Sequence, residues 1–160
     1  MKLPYHVLKA LHYSSDKDKP SFKTAEEVYE KIGYDHGELL KQNPQYENTC
    51  AIRMSLALMK AGVPFQGRLK IKTGRLKGRY VEPGAITLAE QLRKPHLFGK
   101  PLVFLERGKA LKDIGDRKGI IFFHALAFGG GHIDLYEPVE SCNSFCFFAE
   151  AREIWFWPLD

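Results

Sequence analysis

The stretch Asn48-Thr49-Cys50-Ala51-Ile52-Arg53-Met54-Ser55-Leu56-Ala57-Leu58-Met59-Lys60 limits how this chain folds and what chemistry it can hold. It reads as a helix that begins at Asn48, whose side-chain oxygen is suited to accept a free N–H of the first turn. Gly62, just past Ala61, supplies the left-handed residue that commonly closes a helix. Cys50 therefore falls where unpaired N–H groups and the helix dipole favour negative charge. That placement populates the thiolate, the nucleophilic form of cysteine. Its use depends on whether the rest of the chain supplies a base.

The 160 residues are expected to form one domain, 1–160, large enough to bury a core without staples. Hydrophobic residues make up 44% and charged residues 27%, as in ordinary globular domains, and no run approaches the length of a membrane helix. The segment from Met1 to Tyr13, interrupted by Pro4, Lys9 and two histidines, does not read as a signal peptide. A formal charge of +5 is compatible with nucleic acid, anionic membrane or bacterial cell wall, and does not choose among them. Of the three cysteines, Cys142 and Cys146 are close in sequence and Cys50 is distant. One local disulfide with one free thiol, fitting an oxidising compartment, is one reading; three reduced cysteines in a cytosolic protein is the other.

The first half of the chain reads as helical. Tyr5 to Tyr13 suits a short helix with Val7, Leu8 and Leu11 inward, and Thr24 with Glu27 forms a capping box before Val28 and Ile32. Tyr34 to Glu47 reads as irregular, broken by Pro44. Arg68 to Lys72 alternates charged and apolar residues as a half-buried strand does. Six of the twelve residues from Arg68 to Arg79 are basic, which on its own reads as a solvated hairpin face or a contact for an anionic polymer. Thr87 and Glu90 suggest a second capping box opening a helix that Pro95 ends. Beyond it the chain looks mainly β, with strands expected over Gly119–His124, His132–Tyr136, Phe145–Phe148 and Glu153–Trp157. Helices followed by an antiparallel sheet indicate an α+β fold.

The strand that opens after Gly129-Gly130-Gly131 places His132, Asp134 and Tyr136 on one face and Ile133 and Leu135 on the other. His132 is a candidate general base for Cys50, since imidazole titrates near neutral pH. A cysteine at a helix N-terminus with a histidine on a later strand is the arrangement of papain-like hydrolases. Each residue also has a structural reading: Cys50 as a small buried hydrophobe, His132 as a hydrogen-bonded core residue, as His124 is expected to be. A zinc centre built on Cys142 and Cys146 with His132 or Cys50 is the chemical rival. The helix N-terminus, which favours anions, argues against it.

Asn48 to Leu58 resembles the nucleophile motif of the fourth family of type VI secretion amidase effectors, and Gly131-His132-Ile133-Asp134-Leu135-Tyr136 resembles that family's histidine motif. Pro20-Ser21-Phe22, Lys118 to Phe123 and Ile154-Trp155-Phe156-Trp157 extend the likeness over most of the chain. The resemblance implies a papain-like (NlpC-type) α+β cysteine amidase injected into the periplasm of a Gram-negative target cell. There it would cut peptidoglycan stem peptides between D-glutamate and meso-diaminopimelate. It further implies a cognate immunity protein and the secretion apparatus as partners, no nucleic acid or membrane partner, and no cofactor or metal. Carried over, Cys50 is the nucleophile and His132 the base, with the oxyanion held around Asn48, Thr49, the Cys50 backbone and Gly131. The family's third member is commonly an aspartate between the paired cysteines Cys142 and Cys146. That loop here carries Asn143 instead, so Asn143 is the expected third member and Asp134 the reserve. A wall amidase outside any secretion apparatus, or a basic polyanion-binding module, are the alternative readings. Titration of thiols in the unfolded, non-reduced protein is expected to yield one free thiol; three would remove the disulfide.

Overall fold

The structure, a computed structural model, describes residues 1–127, 129–138, 141–142 and 146–160. In chain order the elements are α1 (Tyr5–Leu11), α2 (Ala25–Lys31), α3 (His36–Gln42), a 3₁₀ turn (Pro44–Glu47), α4 (Cys50–Lys60), β1 (Leu69–Lys70), β2 (Tyr80–Val81), α5 (Ala85–Leu92), β3 (Leu102–Phe104), α6 (Arg107–Ile114), β4 (Lys118–His124), β5 (His132–Glu137), β6 (Ser141–Cys142) and β7 (Glu153–Leu159). The long strands form an antiparallel sheet in the order β3-β7-β4-β5-β6, and β1 and β2 pair separately as a short ribbon.

Period-2 alternation sorts the sheet residues onto two faces. Ile120, Phe122, Ile133, Leu135, Trp155 and Trp157 pack with residues of α1, α4 and α5. Ile121, Phe123, Tyr136, Ile154 and Phe156 pack on the other face with Ala110 and Ile114 of α6. A further cluster covers the far side of α4, where Ile52, Leu56 and Met59 meet Val28, Tyr29, Ile32, Leu39, Ile71 and Val81. Helix α4 is thus enclosed on every side, as expected of a helix apolar around its whole circumference; every residue from Cys50 to Met59 is buried.

Two polar residues on that enclosed helix need partners. Arg53 donates from Nε to Thr49 Oγ1 at 2.8 Å and from Nη1 to the carbonyls of Ser14 at 2.9 Å and Lys23 at 2.8 Å. It thereby straps the segment between α1 and α2 onto α4. Ser55 exchanges two bonds with the backbone of Glu82, accepting from its N–H at 3.0 Å and donating to its carbonyl at 3.2 Å. That fixes the turn between β2 and α5.

Several local readings hold. Thr24 and Glu27 form the capping box. Gly62, at φ 85°, closes α4, with its N–H on Met59 and that of Val63 on Leu58 in a Schellman motif. Others are corrected. Helix α4 starts at Cys50 with Thr49 at its N-cap, and Asn48 stands one residue outside. The Tyr34–Glu47 segment is not irregular: Asp35 caps α3 through the N–H of Glu38, and Pro44 opens the following 3₁₀ turn. Only Leu69 and Lys70 of the Arg68–Lys72 stretch are strand. Helix α5 begins at Ala85 after Gly84 without a side-chain cap, so Thr87 lies inside its first turn and makes no box with Glu90. The region beyond Pro95 contains α6, whose only buried residues are Ala110 and Ile114, too few for a clear period. Phe147 and Phe148 lie outside any strand, and Ser141–Cys142 forms β6 instead. Finally, His124 sits between the rings of Phe122 and Trp155, and its Nδ1 has no hydrogen-bond partner among the described residues.

Replacing Arg53 strands buried carbonyls as well as removing a charge. Arg53→Met is expected to cost more than about 2 kcal/mol in urea unfolding. Lys41→Met, which removes an exposed ion pair with Glu38, is expected to stay within about 0.5 kcal/mol.

Candidate active site

The first turn of α4 meets the start of β5 at the floor of a surface cleft of about 450 Å³. Cys50, His132, Asn48, Thr49, Gly131 and Phe147 are among its lining residues. Gly129 and Gly130 bring the chain into β5 at φ 96° and 73°, which glycine adopts at no steric cost. Gly131 serves differently: a Cβ there would stand 2.7 Å from the Phe122 ring.

His132 and Asp134, two residues apart on one face of β5, are both buried, and His132 Nε2 lies 3.2 Å from Asp134 Oδ2. The other carboxylate oxygen accepts the N–H of Leu135 at 2.8 Å, which fixes the group. The imidazole and Cys50 line the same cleft floor, and Cys50 is among the groups that raise the imidazole's pKa. Phe123 stacks on its ring at 6.2 Å, and Phe147 meets it edge-on at 5.1 Å. Burial on its own would lower the His132 pKa. The hydrogen bond to Asp134 with that carboxylate's charge, together with the neighbouring Cys50, outweighs it and raises the value to about 10. His12, also buried behind this site, is lowered to about 4 because burial dominates there over the attraction of Asp134. The site therefore holds a charged imidazole next to Cys50 and a neutral one beyond Asp134.

Asn48 joins the two halves of the site. Its Oδ1 accepts the N–H of Cys50 at 3.3 Å and its Nδ2 donates to the Gly131 carbonyl at 3.5 Å. The expected cap interaction is thus made from just outside the helix. Cys50 is a free thiol, and Cys142 and Cys146 form a disulfide, so neither of those sulfurs is available as the thiolate ligand that the zinc alternative required. Asn143 lies outside the described residues. The sequence reading missed Gln45 and Phe147 as cleft residues. Gln45 lies in a 3₁₀ turn with no periodic signal, and the aromatic run containing Phe147 reads as a strand in the sequence.

The family model for the type VI secretion system amidase effector protein 4, Tae4, matches residues 46–157. The chain belongs to this family of type VI amidase effectors. The match includes both cleft motifs, and the protein is accordingly an amidase, a hydrolase. A comparison with curated protein sequences gives no match. Among solved structures, the crystal structure of the type VI effector Tae4 from Enterobacter cloacae aligns over 100% of this chain and 98% of its own, at 19% identity with a TM-score of 0.73. Tae4 in the effector–immunity complex Tae4-Tai4 from Salmonella Typhimurium aligns over 98% and 95%, at 20% identity with a TM-score of 0.63. Tae4 from Salmonella typhimurium bound to the immunity Tai4 from Enterobacter cloacae aligns over 98% and 96%, at 19% and 0.63. These likenesses establish the α+β papain-like fold.

The two histidines shape stability in opposite directions. Between pH 6.5 and about 10 the folded chain keeps a proton on His132 that the unfolded chain has released. This stabilisation is complete below 6.5 and is lost as pH rises through about 10. His12 has released its proton in the folded chain between 6.5 and about 4, so its contribution is present above 6.5 and is lost as pH falls through about 4. Urea unfolding across this range is expected to show both limbs; His132→Gln should flatten the alkaline one and His12→Gln the acid one.

Proposed function

We propose that this amidase hydrolyses the D-glutamyl–meso-diaminopimelate bond of peptidoglycan stem peptides, with Cys50 as nucleophile, His132 as general acid and base, and Asp134 as the group that orients His132. The observation that carries the reading is the hydrogen bond between Asp134 and His132 on the floor of an open cleft that Cys50 also lines. Asp134 occupies Nε2, which leaves Nδ1 to exchange a proton with the thiol. With the proton already held on the charged His132, Cys50 attacks the glutamyl carbonyl as a thiolate paired with that imidazolium, forming a tetrahedral oxyanion. Backbone N–H groups at the start of α4, around Thr49 and Cys50, with the Asn48 carboxamide, are the donors this reading assigns to it. The Cys50 N–H becomes available when Asn48 Oδ1, a long acceptor at 3.3 Å, yields to the oxyanion. The imidazolium then protonates the diaminopimelate amine as the C–N bond breaks. Water, deprotonated by the now neutral His132, resolves the thioester to a glutamyl carboxylate, and the Cys50 thiolate leaves beside the re-formed imidazolium. The buried Arg53 guanidinium behind Cys50 and Asp134 adds fixed positive charge to this cycle.

The setting follows from the family. Type VI delivery into the periplasm of a Gram-negative target suits an enzyme that carries a disulfide. A cognate immunity protein would guard the producer by covering this cleft, as Tai4 forms complexes with related Tae4 proteins.

Purified sacculi treated with the protein are expected to release fragments with new glutamate carboxyl and diaminopimelate amino ends, identified by mass. Cys50→Ala and His132→Ala should release none; full activity in either contradicts the mechanism. Asp134→Ala is expected to lower kcat by about a thousandfold or more, and Asn143→Ala to have the smaller effect. The reverse order would make Asn143 the orienting residue.

A further inference from the structure

The cleft does not end at Cys50. It continues past Asn48 and Gly131 into a second lobe of about 440 Å³, lined also by Gln45, Arg68, Gly84 and Thr87. Arg68 is the one charged side chain among the described residues lining this lobe. We propose that Arg68 reads a free carboxylate of the substrate beside the scissile bond, its guanidinium held in place for that task by Glu82. The inference rests on the stem-peptide reading above and adds a specificity-determining residue to it.

The arrangement of the pair carries the argument. Arg68 donates from Nε to Glu82 Oε1 at 2.9 Å and from Nη2 to Oε2 at 2.6 Å, a two-point clamp that removes rotation of the planar head. Glu82 itself cannot move: its Oε2 also accepts the N–H of Gly84 at 2.6 Å, and its backbone is bonded in both directions to Ser55 on α4. The guanidinium is therefore registered to the helix that carries Cys50. The two members differ sharply in exposure, the carboxylate side chain being 1% exposed and the arginine 64%. Burying a carboxylate is costly, and an ion pair that served only to lock the ribbon would gain little from leaving its cation in water. Nη1 makes no protein hydrogen bond among the described residues, so the remaining edge of the fork is open to the lobe. Gly84 keeps the floor low, since a Cβ there would stand 2.9 Å from Nη2. A fork with one edge spent and one edge open is matched by a planar carboxylate, which arginine binds bidentately and lysine does not.

A stem peptide cut between D-glutamate and meso-diaminopimelate presents two free carboxylates near the reacting amide. One is the glutamyl α-carboxylate on the acyl side, and the other is on the diaminopimelate side chain on the amine side. The same chemistry fits both, and amidated substrates separate them. Three synthetic stem peptides would be compared: one with both groups free, one amidated at the glutamyl α-carboxyl, and one amidated on the diaminopimelate side chain. The wild-type protein is expected to lose about tenfold or more in kcat/KM, through KM, on whichever amide removes the group that Arg68 reads. Arg68→Lys should weaken that discrimination. The double variant Arg68→Gln/Glu82→Gln leaves no buried carboxylate unpaired, and its folding is checked by its thermal midpoint. It should cleave all three peptides with the same raised KM. Equal cleavage of the three by the wild type overturns the proposal, and so does a double variant that keeps the wild-type discrimination. Cleavage of none of them by the wild type removes the stem-peptide reading itself, and this subsite with it.

Discussion

Enclosure of α4 on all sides is the constraint from which the rest of the architecture follows. A helix packed between the sheet on one side and α2, α3 and the short ribbon on the other has no solvent-facing stripe until Lys60. Its two polar residues must then find partners inside the protein, because a buried donor left unmade costs more than a typical bond contributes. Arg53 meets this by gathering the carbonyls of Ser14 and Lys23, and Ser55 by clasping Glu82. These two straps run to the segments that wall the cleft, through Ser15 on one side and Arg68 on the other. Core satisfaction and cleft construction are one set of hydrogen bonds.

The same enclosure governs the electrostatics. The N-terminus of α4 delivers Cys50 to the edge of the core, where β5 brings His132 and Asp134 from the neighbouring layer. In water a His–Asp contact at 3.2 Å would be weak; in this buried setting it acts with the neighbouring Cys50 to raise the imidazole to about 10 against the opposing effect of burial. His12 experiences the same burial without comparable compensation and stays neutral at physiological pH. Two histidines close to one carboxylate thus take opposite charge states, because burial prevails at His12 while the interactions with Asp134 and Cys50 prevail at His132.

Much of this was legible in the sequence because it rests on local chemistry. The helix carrying Cys50, the glycine run before His132, and the alternation that sets His132 and Asp134 on one face are all short-range patterns, and the family likeness rests on the same residues. The capping box at Thr24 and the closing Gly62 are equally local. What escaped was set by tertiary contact. Helix α3 is a two-turn element held by its Asp35 cap and a few buried side chains, and α6 buries only two residues. Arg68 read as one charge in a basic run, since its partner Glu82 comes fourteen positions later and is brought close only by pairing of β1 and β2. Gln45 had no pattern to announce it.

The central claim is that Cys50 is the atom that attacks the glutamyl carbonyl. An L-alanyl-γ-D-glutamyl chloromethyl ketone, with the reactive carbon in place of the scissile amide nitrogen, tests it directly. The account predicts loss of hydrolysis with one equivalent of label, mapped by peptide mass to Cys50. Complete labelling at another residue, or full hydrolytic activity in protein labelled at Cys50, would contradict it.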